Sequence, residues 1–172
     1  MSEPTGVAVE NSEHGRSGRG DDVSVRLQRA IATLARGREA RMTAPVPEDE
    51  LDRLERALDH PLPAELRELL GALGAGLYEH GHEIFGPVRV MIHDIELVPD
   101  ILSVRARLAA SGGLAPGLVP FHRLGGRVHL VRAVGPRAGE VVSLPAGAVF
   151  PDLAAFVDQV LLGPPAAGGD TP

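Results

Sequence analysis

The segment His80-Gly81-His82-Glu83 contains the side chains of this sequence best suited to metal chemistry. Residues two apart on a β-strand point to the same face, so His80 and His82 could hold one metal ion between their imidazoles. A metal-dependent enzyme built on this pair is one hypothesis. Exposed histidines on a hairpin are the commoner cause of such a pattern, and we predict no metal or other cofactor.

Other catalytic patterns are missing from the sequence. The serines of the central region are Ser103, Ser111 and Ser143, and none lies in the Gly-x-Ser-x-Gly motif of a nucleophile elbow. The chain has no cysteine, which excludes thiolate nucleophiles and cysteine-ligated zinc. It also has no lysine, which excludes a P-loop. We therefore predict that the protein is not an enzyme.

The charge of the chain favours some partners over others. The formal net charge is −6 over 172 residues, and residues 44–163 carry 16 acidic and 10 basic side chains. An acidic surface repels the phosphates of nucleic acid, and its field attracts a basic protein. Such a surface also serves solubility alone, so charge does not identify a partner.

The sequence predicts neither a membrane-spanning segment nor a secretion signal. Crossing a bilayer takes about 20 consecutive apolar residues, and no run in the chain approaches that length. The first residues, MSEPTGVAVENSEHGRSGRG, have neither the basic start nor the apolar stretch of a signal peptide. We expect a cytoplasmic protein.

Composition divides the chain into four parts. Residues 1–20 and 164–172 have no periodic apolar pattern, and we predict that both are disordered tails. Residues 21–43 are predicted to be an accessory helix or a linker, with Leu27, Ile31 and Leu34 on one helical face. This helix could dock on the domain or be a loosely held extension. Residues 44–163 form the predicted domain.

Two leucine-rich helices are predicted at the start of the domain. Pro47 followed by three acids favours a helix start. His60-Pro61 ends the first helix, Leu62-Pro63 opens the second, and Gly74-Ala75-Gly76 stops it. Their apolar faces consist of Leu51, Leu54 and Leu58, and of Leu62, Leu66, Leu69, Leu70 and Leu73.

Beyond these helices the apolar period changes from 3.6 to 2, which is typical of strands. Val88, Val90 and Ile92 alternate with Arg89, Met91 and His93, which predicts a strand with one buried face. The later predicted elements are a helix at 99–110, strands at 118–121, 127–134 and 140–144 with a hairpin turn at Gly125-Gly126, and a helix at 151–163. Since the strands are grouped, we predict the α+β class: a single domain with a mostly antiparallel sheet packed by N-terminal helices and a C-terminal helix.

Several of these features recur in a known order over about residues 47–162. They are the acidic helix at 49–58, Leu62-Pro63, the leucine-rich helix at 64–73, the glycine turn at 74–76, Leu118-Val119-Pro120-Phe121, Gly125-Gly126 and the terminal helix with phenylalanines at 150–162. In this order they resemble the SUKH superfamily of Smi–Knr-like domains.

The resemblance implies a protein-binding fold. Bacterial members of the superfamily are widely implicated as immunity proteins that neutralise polymorphic toxins, and eukaryotic members act as scaffolds or regulators. The expected function is therefore to bind and neutralise a co-encoded bacterial toxin. The alternative is a regulatory or scaffold module unrelated to toxins, for which the predicted helix at 22–41 is a candidate contact.

The candidate partner-binding residues lie in the segment before the predicted hairpin. They are five acids and two aromatic residues: Tyr78, Glu79, Glu83, Phe85, Asp94, Glu96 and Asp100. If the acids come together on the sheet side, they form a patch suited to the arginines or lysines of a toxin, and the aromatic residues could anchor it. The other interpretation is that the acids are scattered solubilising charges and that the aromatic residues belong to the core.

Overall fold

The computed structural model describes residues 17–36, 41–42, 45–112, 114–145 and 147–163. For residues 17–23, 41–42 and 79 it describes the backbone alone. Most of the two predicted tails, residues 1–16 and 164–172, lies outside the described residues. Within the described part of the chain, no helix combines the length and the apolar composition needed to cross a bilayer.

The described residues form five helices and nine strands. The helices are α1 (Ser17–Arg36), α2 (Glu48–Leu58), α3 (Ala64–Leu73), α4 (Ile101–Ala110) and α5 (Leu153–Phe156). The strands are β1 (Arg41–Met42), β2 (Gly76–Leu77), β3 (Glu83–Ile84), β4 (Val90–Ile92), β5 (Ile95–Val98), β6 (Leu118–Leu124), β7 (Arg127–Arg132), β8 (Val141–Leu144) and β9 (Val149–Phe150). A 3-10 turn at Glu79–Gly81 precedes β3, and α5 continues into a π-helical segment at Val157–Leu161.

Seven of the strands form one antiparallel sheet, the main sheet. Its order is β1-β2-β3-β6-β7-β8-β9, and each neighbouring pair is antiparallel. The other two strands, β4 and β5, pair with each other in a separate hairpin. The prediction of an α+β domain with a mostly antiparallel sheet is confirmed.

The two leucine-rich helices form where the sequence predicts them. α2 begins after Pro47, and its first turn contains three acids that interact favourably with the positive end of the helix dipole. It ends before Asp59, which has a φ of 63°, and α3 ends before Gly74, which has a φ of 79°. The predicted leucines are all buried: Leu51, Leu54, Leu58, Leu62, Leu66, Leu69, Leu70 and Leu73.

The helix α1 docks on the domain, which is one of the two arrangements considered for it. It begins at Ser17, within the segment predicted as a tail, and packs against α3 and α5. Leu27 and Ile31 are buried on its apolar face. An ion pair of 2.9 Å between Arg26 and Asp158 joins α1 to the segment that follows α5. The apolar face of α1 is therefore occupied by the domain itself.

The alternating segment that begins at Val88 does not have the buried face that its pattern predicts. Val90 is buried, but Val88 and Ile92 are exposed. Because β4 pairs with β5 outside the main sheet, the core does not cover the side chains of that face. The hairpin turns at His93 and Asp94, whose φ values of 47° and 63° make a two-residue turn with a twist that suits the strands.

The later elements follow the prediction more closely. Gly125 and Gly126 form the turn between β6 and β7, with φ values of 53° and 81° that glycine adopts at little cost. The helices α4 and α5 begin after the capping residues Asp100 and Asp152. Five strands were not predicted. Four of them, β1, β2, β3 and β9, have two residues each, too few to show a period, and the fifth is β5 at Ile95–Val98.

Aromatic packing fixes α5 on the main sheet. The ring of Phe156 lies 5.1 Å from that of Phe121 on β6 and 5.3 Å from that of Phe150 on β9, measured between ring centroids. Both pairs are close to perpendicular, a favoured arrangement of aromatic rings. Phe156 thereby covers the middle of the sheet.

Candidate functional site: an exposed hairpin and a buried row of histidines

The β4–β5 hairpin, residues 88–98, concentrates exposed apolar surface. Of the eight large hydrophobic side chains that are exposed among the described residues, four lie in this hairpin. They are Val88, Met91, Ile92 and Ile95, with exposed fractions of 56, 45, 37 and 65 %. Ile92 and Ile95 are cross-strand partners and share one face of the hairpin, whereas Met91 is paired with Glu96. Exposed apolar surface concentrated in one element marks a site of contact with other molecules.

Three of the predicted partner-binding acids lie in the hairpin region. Asp94 and Glu96 are exposed on the hairpin itself. Glu96 lies 3.6 Å from Arg89, and Asp100 at the base of the hairpin lies 3.8 Å from the same guanidinium. Asp94 forms no ion pair with any described residue, so of these three acids it is the one whose charge no described neighbour offsets.

Asp100 has a structural role in addition to its place among the predicted partner-binding residues. Its carboxylate accepts hydrogen bonds from the backbone N–H of Ser103 at 2.8 Å and from the Ser103 hydroxyl at 2.7 Å, and so caps α4. Burial acts to raise the pKa of Asp100, but the hydrogen bonds from Ser103 and the charge of Arg89 outweigh it, and the pKa is lowered. The carboxylate is mostly buried and is engaged by its own helix.

The other predicted partner-binding residues lie away from the hairpin. Glu83 on β3 is half-buried and accepts a hydrogen bond of 3.0 Å from Nε of Arg123 on β6. Tyr78 and Phe85 are buried in the core, so they offer a partner no exposed aromatic surface. The side chain of Glu79 lies outside the described residues. The acids are thus divided between the hairpin region and the main sheet.

A row of four buried polar side chains crosses the main sheet. The histidine row consists of His82 just before β3, His122 on β6, His129 on β7 and Ser143 on β8. The strand register explains the row, because His122 is paired with His129 and His129 is paired with Ser143. Cross-strand partners on one face lie close enough for their side chains to touch.

A β-bulge turns His122 toward the row. The register between β6 and β7 shifts between Pro120 and His122. Consecutive strand residues normally point to opposite faces, but the rings of Phe121 and His122 both contact Phe156, with centroid distances of 5.1 and 5.2 Å. Bulges re-aim side chains in this way. His122 and His129 are not predicted as functional residues from the sequence, because the alternation of the strand does not show the bulge.

The three imidazoles form a hydrogen-bonded chain, here called the histidine chain. Nδ1 of His82 lies 3.0 Å from Nε2 of His122, and Nδ1 of His122 lies 2.9 Å from Nδ1 of His129. In each contact one nitrogen donates and the other accepts, so each contact contains one proton. Three neutral imidazoles have one ring proton each, which leaves a single proton for the two outer Nε2 atoms. One end of the neutral chain is therefore a donor and the other an acceptor.

Burial keeps the histidine chain neutral at ordinary pH. It lowers the pKa of His122 well below the usual range, with a further contribution from the two neighbouring imidazoles. Burial and, second, the charge of Arg127 lower the pKa of His129 to about 4. Burial and, second, His80 lower the pKa of His82.

Both terminal residues of the histidine chain line one cavity of about 380 Å³. Six of the described residues contribute its polar lining: His80, His82, Arg127, His129, Ser143 and Gln159. Apolar side chains such as Leu124, Phe150 and Val160 complete the wall. No carboxylate of a described side chain lines the cavity, and Arg127 forms no ion pair with any described residue.

The histidines are not arranged as a metal centre. No group of three or more His, Cys, Asp or Glu side chains within the described ranges is placed to hold a metal ion. His122 uses both ring nitrogens within the chain. The predicted pair is divided, because His80 is exposed in the 3-10 turn with a φ of 58° whereas His82 is buried. The expectation that both are exposed on a hairpin is therefore wrong for His82.

No family model matches the sequence, and no curated protein matches it. Among solved structures, the chain is similar to the crystal structure of a protein from Pseudomonas syringae pv. tomato, with a TM-score of 0.61 and 19% sequence identity. The similarity covers 77% of this chain and 96% of that chain. At this identity it shows a shared α+β fold and transfers no function, so the resemblance to SUKH domains stays a prediction.

Proposed function

We propose that the chain is a protein-binding domain of the immunity-protein kind, and that its partner is a basic toxin domain that docks on the β4–β5 hairpin. The observation that supports this most strongly is the concentration of exposed apolar side chains on the hairpin, with half of those among the described residues lying within residues 88–95. An exposed apolar cluster of this kind is costly in water unless another surface covers it.

The charges around the hairpin favour a basic partner. Met91 is paired with Glu96 across the two strands, and Ile95 lies between Asp94 and Glu96 in the sequence. Exposed apolar residues next to exposed acids match the apolar centre and polar rim of a protein interface. The net charge of −6 adds a long-range attraction that raises the association rate with a positively charged protein.

The resemblance to SUKH domains supports a toxin as that partner. Bacterial members of the superfamily are implicated in neutralising toxins that are encoded beside them. The proposal includes that the two proteins meet in the cytoplasm. The lack of cysteine is compatible with this, because cytosolic proteins rarely depend on disulfides.

The test uses the toxin domain encoded beside this gene, produced with and without this chain. We expect protection of the producing cells and a one-to-one complex whose affinity is measured by calorimetry. Ile95→Ser is expected to weaken binding at least about tenfold, or about 1.4 kcal/mol, because Ile95 is the most exposed apolar residue of the hairpin.

The matched control is Val149→Ser on β9, since Val149 is 59% exposed and lies outside the hairpin. This variant should bind as tightly as the wild type. Absence of a complex, or equal losses in the two variants, would contradict the proposal. A complex that depends on the hairpin but is formed with a non-toxin protein would favour the scaffold alternative.

A further inference from the structure

The cavity beside the histidine row has no part in the proposed protein interface. We propose that it is a binding site for a small oxyanion, the carboxylate or phosphate group of a small molecule, and that the histidine chain takes up one proton when the anion binds.

The lining of the cavity differs in charge from the rest of the protein. The chain as a whole has a net charge of −6, yet the described side chains that line the cavity include one guanidinium, three imidazoles and no carboxylate. Arg127 is free of ion pairs within the described residues, and a guanidinium is the side chain best matched to an oxyanion. The Ser143 hydroxyl and the Gln159 amide add further hydrogen-bond donors.

The number of ring protons in the histidine chain explains why the binding of an anion should be accompanied by the uptake of one proton from solvent. An oxyanion only accepts hydrogen bonds, so it is matched by a donor and opposed by the lone pair at the acceptor end of the neutral chain. One added proton converts both ends, Nε2 of His82 and Nε2 of His129, into donors and leaves the two inner contacts intact. A second added proton would place two protons in one nitrogen–nitrogen contact and break it.

The charges near the histidine chain disfavour its protonation when no anion is bound and would favour it when one is. Arg127 on β7 and His80 in the 3-10 turn both oppose protonation of the chain while the cavity is empty. Glu83 on β3 is ion-paired with Arg123 on β6, so these two charges largely offset each other.

The strands β8 and β9 and the π-helical segment contribute the uncharged residues Ser143, Phe150, Gln159 and Val160 to the lining. Asp158, next to Gln159, is paired with Arg26. A bound anion would offset Arg127 and so favour the protonated chain.

The apolar part of the cavity lining indicates that the rest of the ligand is apolar. Leu124, Phe150 and Val160 line the cavity together with the polar groups. A volume of about 380 Å³ accommodates a small molecule with a compact apolar body. We therefore assign the site to small carboxylates or phosphate esters.

Calorimetry of the full chain with benzoate and with sulfate tests the proposal, because neither anion titrates near about pH 7. Measurements in two buffers of different ionisation enthalpy give the number of protons taken up. We expect close to one proton per bound anion and an affinity that rises by up to about tenfold for each pH unit below about pH 7. Binding of benzoate alone identifies a carboxylate ligand, and binding of sulfate alone identifies a phosphate-like one.

Variants and ring-proton counts separate the site from general charge effects. Arg127→Gln should weaken binding at least about tenfold, whereas Arg137→Gln, an exposed arginine outside the cavity lining, should not. Nitrogen NMR of the histidine rings in the wild-type protein should show one additional ring proton when benzoate is bound. Failure of both anions to bind, binding without proton uptake, or an unchanged affinity in Arg127→Gln would each overturn the proposal.

Discussion

The β4–β5 hairpin and the histidine row place opposite kinds of side chain in opposite environments. The hairpin consists of two strands outside the main sheet, and it exposes Met91, Ile92 and Ile95 to solvent. The histidine row runs across the main sheet from just before β3 to β8, and its three imidazoles are buried. The rings of His122 and His129 pack against Phe156. Both placements cost free energy, because apolar side chains are less stable in water and imidazoles are less stable when buried. Such costs are tolerated where a function needs them, which is why the two regions are the candidate sites.

The largest expected difference between the two regions is in their contribution to the free energy of unfolding. Phe156→Ala should lower the free energy of unfolding by about 3–5 kcal/mol, since its ring is fully buried against Phe121, Phe150 and the histidine row. Ile95→Ser should change it by less than about 0.5 kcal/mol, because Ile95 is largely exposed. Urea unfolding of both variants measures the contrast. A loss below about 1 kcal/mol in Phe156→Ala would show that α5 does not hold the row in place.

The second contrast is in pH dependence. The pKa of His129 is about 4 in the folded protein against 6.5 for the free side chain, so between these values the unfolded chain binds more protons than the folded one. The free energy of unfolding should therefore fall as the pH is lowered from about 6.5 to about 4, by about 3 kcal/mol from His129 alone. The lowered pKa values of His82 and His122 act in the same direction.

The variant His129→Gln tests the source of this pH dependence. Urea unfolding over the same pH range should show a shallower decline than in the wild type, whatever the variant loses in stability overall. The control His93→Gln removes an exposed histidine from the hairpin turn and should leave the wild-type slope unchanged. Equal slopes in all three proteins would show that the histidine chain is not the cause.

A smaller contrast lies within the hairpin region itself, between a capping acid and an exposed one. Asp100→Ala should cost about 1 kcal/mol of stability, because it removes the cap of α4. Asp94→Asn should leave stability within about 0.5 kcal/mol, because asparagine tolerates the positive φ of 63° at this position as aspartate does. It should instead slow association with a basic partner, because it removes the charge, and added salt should reduce this effect. Thermal unfolding and association kinetics measure the two effects, and a reversed pattern would assign the roles the other way round.

The local elements of the fold could be predicted, and the burial of its two unusual regions could not. Leu51, Leu54 and Leu58 have the spacing of a helix face, and Gly125-Gly126 has the turn signature of a hairpin, so nearby residues determine both. Val88, Val90 and Ile92 alternate like a core strand, but whether a strand is covered depends on which strand it pairs with. β4 pairs with β5 alone among the described strands.

The histidine row shows the same limit at the candidate site. His82 is separated from His122 by 40 residues and lies beside it only because β3 pairs with β6 across the intervening hairpin and α4. The bulge that turns His122 toward Phe156 leaves no mark in the alternation of residues 118–124. Of the three histidines in this row, only His82 is predicted from the sequence as a candidate metal ligand, and it was expected to be exposed. The turn at His93 and Asp94 did carry a signal, since aspartate and histidine adopt positive φ more readily than most residues.

Hydrogen–deuterium exchange of the toxin complex tests the central claim most directly, because it compares the two regions in one experiment. If the hairpin is the partner-binding surface, the amides of residues 88–98 should exchange more slowly in the complex, while those of residues 122–129 and 141–144 keep the rates of the free protein. Slower exchange confined to the histidine row, with an unchanged hairpin, would contradict the account.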